Sequence, residues 1–322
     1  MQDKVMTDDV TPPVYGGIDV CKERLDVHLH PLGVRFTVAN DASGRRALIR
    51  RLSGIGVRLV VMEPTSKYHR AAHRHLHAAG IATALVNPLR ARRFAEACGQ
   101  SAKTDAIDAS MLALMAQRMP LAPSTPPTAE QEALHELASA RSRGLAERVA
   151  LDNRLSVTGD AFLRRELKAR LRTLAGHLDR LDREIAARIA ADPALARRAA
   201  ILRSIPGVGP VAATAFITSL RELGTLNPKQ AAALAGLAPF ARESGRSSQK
   251  RSIAHGRGDL RCALYMAALV ASRRNPPLTA FYQRLRNAGK PAKLAIIAVA
   301  RKLVVLANSL VAQNRIWNPQ PA

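Results

Sequence analysis

Asp105 and Asp108 stand three residues apart in SAKTDAIDASMLALMAQ, at the start of an apolar helical pattern. Residues three apart share one helix face, so both carboxylates can reach one target. Two further acids occur where acids are unexpected. Asp19 interrupts the apolar run GGIDV, and Glu63 ends the apolar run RLVVME. Acids at the ends of neighbouring strands, with a helix crossing the same sheet edge, can converge on one point. Four carboxylates brought together repel each other strongly unless divalent metal neutralises them, and hard oxygen ligands suit Mg2+ or Mn2+. Two such ions would stabilise both the attacking and the leaving oxygen of a phosphodiester. Each acid also has a plainer reading. Asp105 and Asp108 suit the first turn of a helix, where negative charge favours the dipole and an acid can close a capping box. Glu63, before Pro64, can simply end a strand, whereas an unpaired Asp19 inside an apolar run is costly. The joint order of the four acids, on a first strand, a later central strand and a terminal helix, points to metal binding.

The elements that must position them are legible in order. Residues 1–14 read as a disordered tail. YGGIDVCKERLDVHLH and RFTVAN read as two or three strands joined by tight turns. A helix follows over 41–52, RLVVME has the composition of a central strand covered on both faces, and 66–79 is again helical. IATALVNP is another buried strand, and 89–98 and 104–118 are helices. This order predicts a mixed sheet with helices on both faces, forming a first domain over 15–118. MPLAPSTPPT places four prolines in ten residues, a semi-rigid linker over 119–129. Across 130–192 apolar residues from Leu163 to Ile189 recur at spacings of three and four, with a weak point at Thr158-Gly159. That seam suits a coiled coil or an antiparallel helix pair, and a hairpin packing only within its own chain fits it equally. The last domain, 197–315, reads as all-α, with residues 316–322 as a tail.

That last domain opens with IPGVGP between two short apolar helices, a helix-hairpin-helix whose Gly207 and Gly209 permit a tight turn and whose backbone N–H groups can face a phosphate beside Arg203. An ordinary helical corner is the plainer reading. The segment 236–259 reads as a long loop rich in Gly, Ser and Arg, of a length that is usually functional or disordered. Its neighbourhood carries Arg242, Arg246, Lys250, Arg251, Arg257 and Arg261, cations suited to positioning a phosphodiester.

Composition agrees with a polyanionic partner. The chain has 322 residues, a formal net charge of +24 and only 3% aromatic residues, so its cores must be aliphatic. Of that charge, +15 falls on residues 201–322. No long uncharged apolar span or apolar signal core appears, which argues against a membrane partner and for a cytoplasmic protein. Cys21, Cys98 and Cys262 lie far apart with no CxxC pair, so neither a disulfide framework nor a zinc ribbon is expected. His69, His73 and His77 recur every four residues on one helix, but Arg70, Arg74 and His75 interleave them, favouring a solvated basic face over a metal site.

Taken together, GIDVCKERLDV, VVMEPTSKYH, SAKTDAIDASMLA, IPGVGPVAATAFI, GLAPFARESG and GRGDLRCALYMAA resemble the DEDD transposases of the insertion-sequence "one-ten" family, close to Piv-type DNA invertases. The resemblance covers nearly the whole chain. It implies a RuvC-like, RNase H-type first domain with the DEDD quartet on Asp19, Glu63, Asp105 and Asp108, holding two Mg2+ or Mn2+ ions. It also implies a C-terminal transposase domain supplying a serine nucleophile at Ser244. Donor and target DNA would be selected by a structured bridge RNA, and recombination carried out by a homo-oligomer of dimers assembling into a tetramer. Such a bacterial enzyme would be nucleoid-associated while acting. A serine hydroxyl needs activation by metal or base, and the quartet lies over a hundred residues upstream, so the active centre would be composite. Two rivals remain: a RuvC-like junction resolvase with the same acids and no nucleophilic serine, and a non-enzymatic nucleic-acid-binding protein using the hairpin and basic loops.

Overall fold

The computed structural model describes residues 12–100, 105–244 and 247–318, with side chains described for all of these except 105–107, 240–244 and 247–251. The chain divides into two compact units, 1–127 and 128–322.

In the first unit β1 (Tyr15–Val20), β2 (Arg24–His30), β3 (Val34–Ala39), β4 (Leu59–Met62) and β5 (Thr83–Leu85) form one sheet in the order β3-β2-β1-β4-β5. The first three strands are an antiparallel meander, and β4 and β5 add to β1 in parallel. Its helices are α1 (Ala42–Ile55), α2 (His69–Ala78), α3 (Pro88–Ala97) and α4 (Asp105–Arg118). Side chains alternate across a strand, and the cores divide accordingly. Ile18, Val20, Leu25, Val27, Leu29, Val60 and Met62 pack with Leu48, Leu52, Ala72 and Leu76 of α1 and α2. Leu59 and Val61 face the other way, onto Ala91 of α3 and Leu112, Met115 and Ala116 of α4. All four residues of β4 are therefore buried, as its composition predicts. The expected mixed sheet with helices on both faces is what forms.

Two sequence expectations change in this unit. The tail expected over 1–14 lies outside the described residues for 1–11, but Val14 is buried and its carbonyl accepts from the Arg58 N–H at 2.8 Å. The solvated histidine face does not hold for His73. Its side chain is buried and its Nε2 lies 2.8 Å from the Ser124 carbonyl, because the proline-rich stretch runs along the β5 edge, where the Ser124 N–H donates to Thr83 O.

In the second unit α5 (Ala129–Val157) and α6 (Ala161–Ala191) form a helical hairpin broken at Thr158–Asp160, where the Asp160 side chain caps the second helix. Leu151 packs on Leu174 and Leu178, and nearer the base Leu134, Ile185 and Ile189 join the main core of the unit. Most of the leucine seam is thus covered by an antiparallel pair within one chain, while Leu163 at its start is exposed. That core is built from α7 (Pro193–Ser204), α8 (Pro210–Ser219), α9 (Pro228–Leu234), α10 (Gly258–Arg274), α11 (Pro276–Asn287) and α12 (Ala292–Ala312). Among the described helices α12 alone is long and apolar enough to cross a membrane, but Val299, Ala300, Leu303, Val304 and Ala307 are buried in the core.

The all-α reading of this unit is corrected by two strands, β6 (Pro239–Ser244) and β7 (Ser247–Ile253), which pair antiparallel across the segment expected to be a loop. The stretch lacks the apolar alternation that marks a half-buried strand, so periodicity does not announce it.

Candidate active site

The approach of α4 to the sheet is set by Gly17. A Cβ there would lie 2.0 Å from Ala109 O and 2.4 Å from Ala113 N, so only glycine lets the helix backbone rest on β1. At its C-terminal end Gln117 Oε1 lies 3.1 Å from His30 Nε2, and His30 is the register partner of Tyr15. Helix α4 therefore runs antiparallel to β1, and its first turn, with Asp105 and Asp108, lies toward the Asp19 end. The side chain of Asp105 is outside the described residues.

Parity brings the strand acids to the same face. Asp19 is two residues from Gly17, so both point toward α4. Glu63 is two residues from Val61, which packs on α4, and it follows Met62, the parallel partner of Ile18. Glu63 and Asp108 both line a cavity of about 330 Å³ between α3 and α4, with Leu89, Arg92, Glu96 and Gln100 on its wall. Arg92 is held by Glu96, Nε to Oε1 at 3.0 Å.

Asp26 is the residue that reading the sequence missed. It is the antiparallel partner of Asp19, and ligand atoms of Asp19, Asp26 and Cys21 all lie within 4.8 Å of one another. Thr37 Oγ1 donates to its carboxylate at 2.6 Å and Arg24 Nε at 2.8 Å. The two carboxylates suit a hard divalent cation, whereas the Cys21 thiol is a poor ligand for one. The donor set fits such an ion through its oxygens. On the same strand face, burial first and then Arg35 hold the His28 ring below its usual pKa, and Arg35 Nε lies 3.3 Å from His28 Nδ1.

Ser244 belongs to the other unit. It ends β6 and pairs with Ser247, the first residue of β7. Its side chain, and those of Arg242, Arg246, Lys250 and Arg251, are outside the described residues. The root of that hairpin is stitched shut. Gly236 and Gly256, both with positive φ, approach so closely that a Cβ on Gly256 would lie 2.3 Å from Gly236 N. Arg261 Nη1 donates to His255 O at 2.7 Å, and the Arg257 N–H donates to Leu234 O at 2.9 Å. Arg257 also grips Glu222 through both terminal nitrogens, at 2.7 and 2.8 Å, which holds the Glu222 carboxyl below its usual range against the opposing effect of burial. Arg257 and Arg261, expected as phosphate contacts, thus anchor the root.

Both glycines of the turn between α7 and α8 line one groove. Gly207, at φ +105°, is also pressed on α10, where a Cβ would meet Ala271 N at 2.7 Å, so packing requires a glycine there. Gly209 is exposed at the start of α8 and, with Arg203, borders the same groove of about 1020 Å³ between the base of the α5–α6 hairpin, α7, α8 and α10.

Comparison with known proteins gives two matched stretches, the first running from β1 past the end of the first unit through α5. Residues 17–158 match the family model of DEDD transposases of the IS110 type, and residues 199–283 match a model described as the IS116/IS110/IS902 transposase family. A pilin gene-inverting protein of Moraxella bovis is 29% identical over 320 residues, spanning 94% of this chain and 96% of its own length. A probable family 20 transposase of Pseudomonas aeruginosa is 26% identical over 305 residues, covering 81% of this chain and 86% of its own. An uncharacterized 42 kDa protein of insertion element IS900 from Mycobacterium paratuberculosis is 33% identical over 127 residues, which cover 38% of this chain and 32% of its own. With one transposase model matched on the acid-bearing part and a second on the part that carries Ser244, the chain belongs to the IS110 family of transposases.

Proposed function

We propose that this transposase is a metal-dependent DNA recombinase whose active centre is composite, with an RNase H-like (RuvC-like) unit supplying acids and the C-terminal unit supplying Ser244 as nucleophile. The observation that supports this reading is the placement of Asp19, Glu63 and the acid-bearing start of α4 toward one end of one sheet face, with Glu63 and Asp108 lining one cavity.

In the proposed reaction the Ser244 Oγ forms a bond to phosphorus while the bond from phosphorus to a deoxyribose oxygen breaks. The hydroxyl proton leaves to a base or water, and the departing sugar oxygen takes up a proton. A sugar hydroxyl of the second DNA then displaces the serine oxygen, which joins the strands and regenerates Ser244. Asp19, Glu63, Asp105 and Asp108, with Asp26 beside them, would hold two Mg2+ or Mn2+ ions, which when bound stabilise the attacking and leaving oxygens. Asp26, steadied by Thr37 and Arg24, keeps a second negative charge beside Asp19 and so favours a cation between them. Arg203, Gly209 and the cations of the β6–β7 hairpin would hold the DNA backbone.

Recombination of two DNA sites is supported by the name of the Moraxella relative, a gene-inverting protein. Selection of donor and target by a structured guide RNA, a dimer assembling into a tetramer, and cytoplasmic action at the nucleoid belong to the same proposal and rest on family membership. The test is a plasmid recombination assay with purified protein, its co-purified RNA and donor and target DNA. Asp19→Asn or removal of Mg2+ with a chelator abolishes joined product while DNA binding is retained. An Asp19→Asn enzyme that still recombines would overturn the reading.

A further inference from the structure

The final 63 residues, 260–322, contain ten lysines and arginines and no aspartate or glutamate. They form most of α10 and all of α11 and α12, so the cations of α11 and α12 have no carboxylate on their own elements to neutralise them. At the centre of this surface the Phe281 ring of α11 is flanked by two cations. Arg284 Cζ lies 5.3 Å from the ring centroid and Lys302 Nζ of α12 lies 4.4 Å from it. Both side chains are exposed. Arg301 is exposed next to Lys302, and Arg286, Lys290 and Lys293 are exposed around the α11–α12 turn.

Two like charges on one ring repel, and among the described residues no ion pair to either relieves that repulsion. Each is held by the ring quadrupole. A ring of this kind fixes cations in place without cancelling their charge, which a salt bridge would do. What such an arrangement lacks is an anion, and a phosphate oxygen supplies one.

We propose that the Phe281–Arg284–Lys302 surface of α11 and α12 is a second contact for the duplex DNA backbone, apart from the Ser244 hairpin. Duplex DNA is the occupant because the chain belongs to a family of transposases, and a duplex offers such fixed cations a regular polyanion with one charge per about 1.7 Å. The surface adds affinity and holds the register of the DNA without reading its bases.

This proposal rests on reading the chain as a DNA recombinase, so the test separates the two. Binding of the full-length protein to a labelled duplex several turns long is measured in chelator, where no cleavage occurs, over a range of salt concentrations. In Arg284→Gln/Lys302→Gln the slope of log K against log salt falls by about 1.8, since each lost phosphate contact removes about 0.9. Arg284→Lys keeps the wild-type slope, and the melting temperature of each variant shows that it is folded. An unchanged slope in the double variant overturns the proposal. So does a slope that falls only for a structured RNA and not for the duplex, which would assign the surface to RNA. Failure of the recombination reading shows in the plasmid assay instead and leaves these slopes untouched.

Discussion

Gly17 decides how near α4 can bring its acids to Asp19. The atoms that a Cβ would strike are backbone atoms of the helix, Ala109 O and Ala113 N, so they cannot turn aside as a side chain would. Gly17→Ala should cost about 1–3 kcal/mol in urea denaturation, and it should lower DNA cleavage further by lifting α4 from the site; a variant with an unchanged midpoint would contradict this packing. Glu222 gives a prediction in pH. Its two hydrogen bonds from Arg257 hold its carboxyl below the usual value, so the folded pKa lies under the unfolded one. The stabilisation it brings is complete above the ordinary glutamate value of about 4.3 and is lost as pH falls through the folded value. In Glu222→Gln the denaturation midpoint should fall less than in wild type between neutral and strongly acidic pH, and parallel pH profiles would refute the pair's role. The legibility of individual residues follows from what a sequence displays. Asp19 and Glu63 stand out because they break or end apolar runs. Asp26 does not, because RLDVHL is an unremarkable strand and only the β1–β2 register sets it opposite Asp19.

At the scale of elements, strands and helices with strong periodicity were readable, and their packing partners were not. The all-apolar β4 announced its burial on both faces, and Leu163 to Ile189 announced a helical seam, yet the seam fits a coiled coil between chains as well as the intrachain hairpin of α5 and α6. The β6–β7 hairpin was unreadable by periodicity, since FARES and SSQKRSI offer little apolar alternation. The Ser-Gly dipeptide at 244–245 was the available turn signal. What fixes this hairpin is its root, where positive-φ Gly236 and Gly256 meet and Arg257 and Arg261 tie the returning chain. Gly256→Ala puts a Cβ 2.3 Å from Gly236 N at a backbone conformation that side chains rarely adopt. Hydrogen exchange of backbone amides over 239–253 should then speed up while α12 stays protected. Equal protection of the hairpin in both proteins would show that the root does not hold it.

At the scale of the whole molecule, the chain separates into two units with separate aliphatic cores and unequal charge. Net charge of +15 on residues 201–322 was plain in composition, as was the coarse division into a mixed α/β part and a mainly helical part. The division of labour was less plain, because acids on one unit and a serine on another carry no sequence signal of belonging together, and only family membership links them. The central claim is that these two sets form one active centre. It is tested most directly by quenching a reaction of protein, RNA, DNA and Mg2+ under denaturing conditions and mapping the DNA-bound peptide by mass spectrometry. The account predicts a nucleotide attached to Ser244, absent in Ser244→Ala, in Asp19→Asn and without metal. Attachment at another residue, or an adduct that persists in Asp19→Asn, would contradict it.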